Sequence, residues 1–364
     1  MKKFYAFMLS FFLAAALLPP YAKASENDQF ISALAPAPQA SDYERYKAAF
    51  DAIGAVGDIA AAGYEAAEPE FITDYFASAC VDAECTLYPA VNRQYGRAAL
   101  FFAGDDGKIL YKTDDLECNN FLPDSLYQPN TGIAAVSERD LNGDGYKDIL
   151  LLTNCAYDGG KFKIGDILYQ GKDSFYRDWR VTDNINRFGM NKDIDMMTAY
   201  ARDGQSAEFL YSASTLDELE KGGFVPLQWQ TFDVDFQKFG SVTVVPGTYA
   251  MGRNYIFIIY LVNSDGQIVW NFQPMHNNDN FSQMTHISFK DVDGDGWADL
   301  TVLAIYKTLD DNNDTITVTD FSIYYQRSGY FFEDKDFHAE YLPKLTGSET
   351  TEDIVQAARL YWGW

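Results

Sequence analysis

Short apolar runs separated by polar turns dominate the hydrophobic pattern of this chain. Ile133-Ala134-Ala135-Val136-Ser137 and His286-Ile287-Ser288-Phe289 read as strands. Each leads across a polar stretch into a second run, Asp148-Ile149-Leu150-Leu151-Leu152 and Asp299-Leu300-Thr301-Val302-Leu303. Unbroken apolar runs of this length are those of buried strands. Tyr255 to Tyr260 and Ile268-Val269-Trp270 flank Asp265-Gly266, a strong hairpin signal, and Asp106-Gly107 marks a matching turn earlier. Helical spacing is confined to a few places. Ser41-Asp42-Tyr43-Glu44 reads as a capping box, followed by Tyr46, Phe50, Ile53 and Ala60, which predicts helix within 41–79. A short helix is expected at Thr215–Lys221, a strand-like patch at Ala207–Tyr211, and a last helix from Thr350 to Tyr361 with Thr350 and Asp353 as its capping pair. The closing Tyr361-Trp362-Gly363-Trp364 is expected to bury its rings, with a recognition tag as the alternative.

The strand pattern repeats. Gly96-Arg97 recurs as Gly252-Arg253, Tyr169-Gln170 as Tyr325-Gln326 and Phe175-Tyr176 as Phe331-Phe332, each 156 positions later. A constant offset across three places is the mark of an internal duplication. The expected layout is a signal peptide (1–24), a flexible Ala/Pro-rich lead-in (25–40) and a helical segment (41–79). A first β unit (80–188), a spacer or degenerate blade (189–241), a second β unit (242–342) and a C-terminal helix (343–364) follow.

Between the paired strands lie two copies of one loop. The first runs Asp140-Leu141-Asn142-Gly143-Asp144-Gly145-Tyr146-Lys147-Asp148, the second Asp291-Val292-Asp293-Gly294-Asp295-Gly296-Trp297-Ala298-Asp299. Oxygen-bearing side chains occupy positions 1, 3, 5 and 9, and glycine at position 6 permits the tight curl that lets them converge. Carboxylates so close repel each other unless a cation lies between them. A hard cation taking six to eight oxygens fits Ca²⁺, and the carbonyl of residue 7, Tyr146 or Trp297, would add a ligand. The metal set is therefore Asp140, Asn142, Asp144, Tyr146 and Asp148 in one loop, and Asp291, Asp293, Asp295, Trp297 and Asp299 in the other. An EF-hand is excluded: position 12 is Leu151 or Val302 where a bidentate Glu is needed, and a strand follows instead of a helix. The strand–loop–strand unit resembles the FG-GAP/VCBS repeat of integrin-type β-propellers. That resemblance implies a mainly β, propeller-like arrangement of antiparallel strand units with two calcium loops, flanked by N- and C-terminal helical segments. It also implies recognition of a protein or glycan by surface loops.

Composition narrows the setting. Lys2 and Lys3 precede an apolar run from Phe4 to Leu18, and Ala22-Lys23-Ala24 offers a cleavage site, which predicts a secreted or periplasmic protein with no lipid anchor. Nothing later in the chain is long and apolar enough to insert in a membrane after its removal. A net charge of −25 opposes nucleic acid and anionic lipid as partners. Cys80, Cys85, Cys118 and Cys155 suggest disulfides in an oxidising compartment, with Cys80–Cys85 and Cys118–Cys155 the favoured pairs. No nucleophile elbow, phosphate loop or dinucleotide fingerprint is present, so no catalytic residue is assigned. The reading is a non-enzymatic calcium-binding protein. The alternative is a calcium-dependent polysaccharide hydrolase or lyase using the repeats as scaffold, with Trp229, Trp270 and Trp297 as candidate groove residues.

Overall fold

A computed structural model describes residues 40–77, 83–172, 174–272, 280–309 and 315–364. The expected signal segment and nearly all of the lead-in, and Cys80 with its expected clip, lie outside the described residues. Contacts divide the chain into units 1–50 and 51–364. The first is represented by most of helix α1 (Ala40–Ala52), where Tyr46 and Phe50 stack with ring centroids 6.4 Å apart at helical spacing.

In the second unit a short α2 (Val56–Ala61) opens the chain. Four antiparallel sheets then form in chain order, and none closes into a barrel. The first sheet holds β1 (Tyr64–Ala66), β2 (Thr73–Ala77), β3 (Ala83–Asn92), β4 (Arg97–Ala103) and β5 (Ile109–Thr113), with β1 and β2 side by side along β3. β6 (Asn130–Arg139), β7 (Asp148–Tyr157), β8 (Gly160–Gln170) and β9 (Phe175–Tyr176) make the second, a plain meander. Helices α3 (Trp179–Arg187), α4 (Ile194–Ala201), α5 (Phe209–Ser212) and α6 (Leu216–Lys221) come next. The third sheet, β10 (Val225–Pro226), β11 (Phe232–Phe236), β12 (Gly240–Met251), β13 (Asn254–Val262) and β14 (Ile268–Phe272), repeats the order of the first. A second meander of β15 (Asn280–Lys290), β16 (Asp299–Leu309), β17 (Thr315–Arg327) and β18 (Tyr330–Glu333) forms the fourth. Helices α7 (Lys335–Tyr341) and α8 (Thr351–Trp362) complete the chain. No helix among the described residues is long and apolar enough to cross a membrane.

The unbroken apolar runs are explained by layering. Successive side chains of a strand point to opposite faces, so a strand covered on both faces is apolar throughout. In β7, Ile149 and Leu151 pack with Leu87, Leu100 and Phe102 of the first sheet, while Leu150 and Leu152 face the other way into the core shared with α3–α6 and Val245, Tyr249 and Tyr260 of the third. In β16, Leu300, Val302 and Ala304 meet Val244, Phe257 and Leu261 of the third sheet, and Leu303 turns outward onto Phe337, Ile354 and Ala358 of α7 and α8. Each fully buried leucine or isoleucine contributes about 1.5–3 kcal/mol.

Residues 64–66 and 73–77 are strands, not helix: the Ile72-Thr73-Asp74-Tyr75-Phe76 stretch is β-branched and aromatic, and a neighbouring strand is at hand. Phe209–Ser212 is a helical turn, not a strand. Segment 189–241 makes no blade of its own; it supplies α4, α5 and α6 and then the first two strands of the third sheet. Cys118 and Cys155 are buried thiols and no disulfide joins them. A polar knot holds them instead: Cys155 Sγ donates to Asn130 Oδ1 at 3.0 Å, and Asn130 Nδ2 donates to the Cys118 carbonyl at 3.1 Å. The closing rings are exposed, Tyr361 by 45%, Trp362 by 41% and Trp364 by 51%.

Candidate metal centre

Each loop joins the first two strands of a meander, β6 to β7 and β15 to β16, so the position-9 aspartates, Asp148 and Asp299, open the second strand of each pair. Both are fully buried. The backbone around them is the same in the two copies. Asp140 accepts the N–H groups of Gly143 (2.7 Å) and Gly145 (3.0 Å), and Asp291 those of Gly294 (2.7 Å) and Gly296 (2.9 Å). Asp148 ties back to the Leu141 N–H (2.9 Å), and Asp299 to that of Val292 (2.7 Å). At position 5, Asp144 and Asp295 each accept the N–H of residue 7, Tyr146 or Trp297, at 2.8 Å. The loop is thus a cup of N–H groups turned on carboxylates, the kind of nest that fixes charged oxygens in place. Glycines at positions 4 and 6 both adopt positive φ, +76° and +88° in the first loop and +77° and +85° in the second. From the spacing alone only the glycine at position 6 is expected to need it.

In the second loop one oxygen from each of Asp291, Asp293 and Asp299 lies within 4.8 Å of the others. Ligands on opposite sides of Ca²⁺, each at about 2.3–2.6 Å, sit about 4.6–5.2 Å apart, so this spacing fits such an ion. The electrostatics agree. Burial pushes the Asp299 carboxyl up to about 7, against the pull of the Val292 and Gln326 N–H groups, and Asp293 and Asp295 push it the same way. Burial raises Asp148 too, with Asp144 and Asp140 adding to it. A divalent cation among these carboxylates would favour their charged forms.

The two loops reach a similar charge by different routes. The first has three carboxylates and Asn142, whose Nδ2 donates to Asp144 at 3.0 Å. The second has four, but Arg327 at the end of β17 pairs with Asp293 at 2.8 Å and Asp295 at 3.4 Å. The side-chain net is −2 in the first loop, with its three aspartates and Lys147, and −3 in the second, with its four aspartates and Arg327.

Residues that the loop pattern did not point to complete the centre. Gln170 and Gln326, both buried, give their backbone N–H to the position-9 aspartate (2.9 and 2.8 Å) and their side-chain amide to the residue-8 carbonyl, Lys147 (3.1 Å) or Ala298 (2.7 Å). Their signal was the repeated Tyr-Gln pair, read only as a repeat marker. Gln237 accepts from the Ala298 N–H at 2.9 Å and Lys238 Nζ lies 4.0 Å from the centroid of the Trp297 ring. From α8, Arg359 donates to the carbonyls of Asp291 (2.6 Å) and Val292 (3.0 Å). Trp297 and Trp270 are partly buried, while Trp229 is 72% exposed.

A cleft of about 480 Å³ lies apart from the loops, lined by Thr317, Thr319 and Asp320 of β17 and by Leu342, Leu345 and Thr346. His338 Nε2 is 2.7 Å from Asp320 there. Its described lining offers threonines but no serine or cysteine. Compared with known proteins, the chain matches no family model and no curated protein.

Proposed function

We infer that this is an exported calcium-binding protein in which two Ca²⁺ ions, held by residues 140–148 and 291–299, fasten the ends of paired strands, and whose outer surface recognises a protein or glycan. The ions are structural: each sits where a strand pair would otherwise be separated by uncompensated negative charge. The single observation that carries the reading is the shared frame of the two loops. Five hydrogen bonds recur in each with matching partners, although the loops differ in sequence at positions 2, 3, 7 and 8. A chance acidic turn has no reason to reproduce that frame. Four antiparallel sheets packed face to face support a propeller-like architecture, in which such loops cap the strand pairs of alternate blades.

Elemental analysis of the purified mature chain tests the reading. Close to two calcium atoms per chain is the expected result after gel filtration in millimolar calcium, falling to about one when Asp291 and Asp293 are both changed to Asn. No calcium above the buffer background would refute it.

A further inference from the structure

The exposed rings at the end of α8 are not loose. Trp362 Nε1 donates to Asp334 Oδ2 at 2.8 Å, and the Tyr325 hydroxyl donates to the same oxygen at 2.5 Å. Asp334 is itself buried and fixed as the cap of α7 through the Phe337 N–H at 3.0 Å. Trp364 lies against both, 6.0 Å from Trp362 with 23° between their planes and edge-on to Tyr325 at 5.6 Å. One buried carboxylate therefore takes up the polar tips of a buried tyrosine and a half-exposed indole, and leaves the carbon face of Trp362 outward. The row continues through Arg327, whose guanidinium carbon is 5.4 Å from the centroid of the Tyr325 ring and which holds Asp293 and Asp295. Arg359 clamps the same helix to the loop backbone.

The first repeat does without these tryptophans. At the corresponding place after the second sheet, α4 carries Tyr200 and runs into Arg202-Asp203-Gly204 with no tryptophan. Rigid, half-exposed indoles beside fixed charged groups are binding chemistry, because their ordering cost is already met before a ligand arrives.

We propose that Trp362 and Trp364, seated on the buried Tyr325, form a platform for a neutral polysaccharide, with pyranose C–H faces on the two indoles and hydroxyls reaching Arg327. A pyranose matches this surface because it has an apolar face and a polar rim at ring scale. The net charge of −25 disfavours a polyanionic glycan. The proposal rests on the recognition half of the reading above and not on its metal half.

The test is affinity electrophoresis of the full mature chain in native gels cast with hydroxyethylcellulose, xylan, galactomannan or amylopectin, in millimolar calcium and again with EDTA. At least one polymer should retard the protein. Trp364→Ala should weaken that binding at least tenfold with an unchanged melting temperature, and Trp364→Phe, which keeps a ring face, should preserve most of it. No retardation in any gel overturns the proposal, as does equal retardation of Trp364→Ala. Absence of retardation with a dimer that Trp364→Ala converts to monomer would give the strip to a second copy of the chain. Because retardation and calcium content are read separately, a chain retarded without bound calcium keeps the platform and loses only the metal reading.

Discussion

Arg327 occupies a place for which the first loop has no equivalent: the residue after Gln170 is Gly171, and the residue after Gln326 is Arg327. Its guanidinium bonds Asp293 and Asp295 and so already provides part of what a metal ion would provide. It is partly exposed, which limits such an ion pair to about 1 kcal/mol. Arg327→Gln should therefore tighten calcium binding at the second loop by roughly tenfold and lower the metal-free stability by up to about 1 kcal/mol. Calorimetric titration reads the first effect and urea unfolding in EDTA the second. Weaker calcium binding in the variant would show that the arginine supports the ion rather than competing with it. Spacing of aspartate and glycine made the loops legible, because an ion's geometry is local. Arg327, Gln237 and Arg359 were not legible: they come from other strands and helices, brought in by pairing register and packing.

Between elements, Arg177, just beyond β9, joins Asp166 of β8 to Asp115 and Glu117 after β5 at 3.2, 2.9 and 2.5 Å. The three acids hold the guanidinium more firmly charged, yet burial pushes the Asp166 carboxyl up to about 6, with Arg177 pulling it back only in part. A carboxyl whose folded pKa exceeds its unfolded value adds stability that is full below the unfolded value of 3.8 and is lost as pH rises through about 6. The wild-type chain should thus be more stable relative to Asp166→Asn at about pH 4 than at about pH 7. Parallel stability–pH curves from urea unfolding would contradict this. At the same scale, strands with unbroken apolar runs were readable because layering on both faces demands them. The strands at 64–77 and the helical turn at 209–212 were not. The β-branched and aromatic residues at 72–76 were obscured by the helical spacing that precedes them, and the packed helices decided 209–212. The closing tryptophans misled for a related reason. Aromatic content argues for burial only when nothing else anchors the rings, and the buried Asp334 holds Trp362 by its ring N–H with the ring left half exposed.

Over the whole molecule, the repeated order of sheet, meander and trailing helices gives two places where four or three carboxylates crowd the join between strands. A protein built this way should depend on cations for stability. Binding to the folded chain alone contributes about 2.7 kcal/mol per site at a hundredfold excess over Kd, and extracellular calcium modules commonly have Kd of about 10⁻⁴ to 10⁻³ M. The most direct measurement is thermal unfolding of the purified chain in EDTA and across a calcium titration to about 10 mM, with magnesium as control. The melting temperature is expected to climb by several degrees with calcium and much less with magnesium, and the rise to be lost when Asp140, Asp148, Asp291 and Asp299 are all changed to Asn. An unchanged midpoint across the calcium series would contradict it.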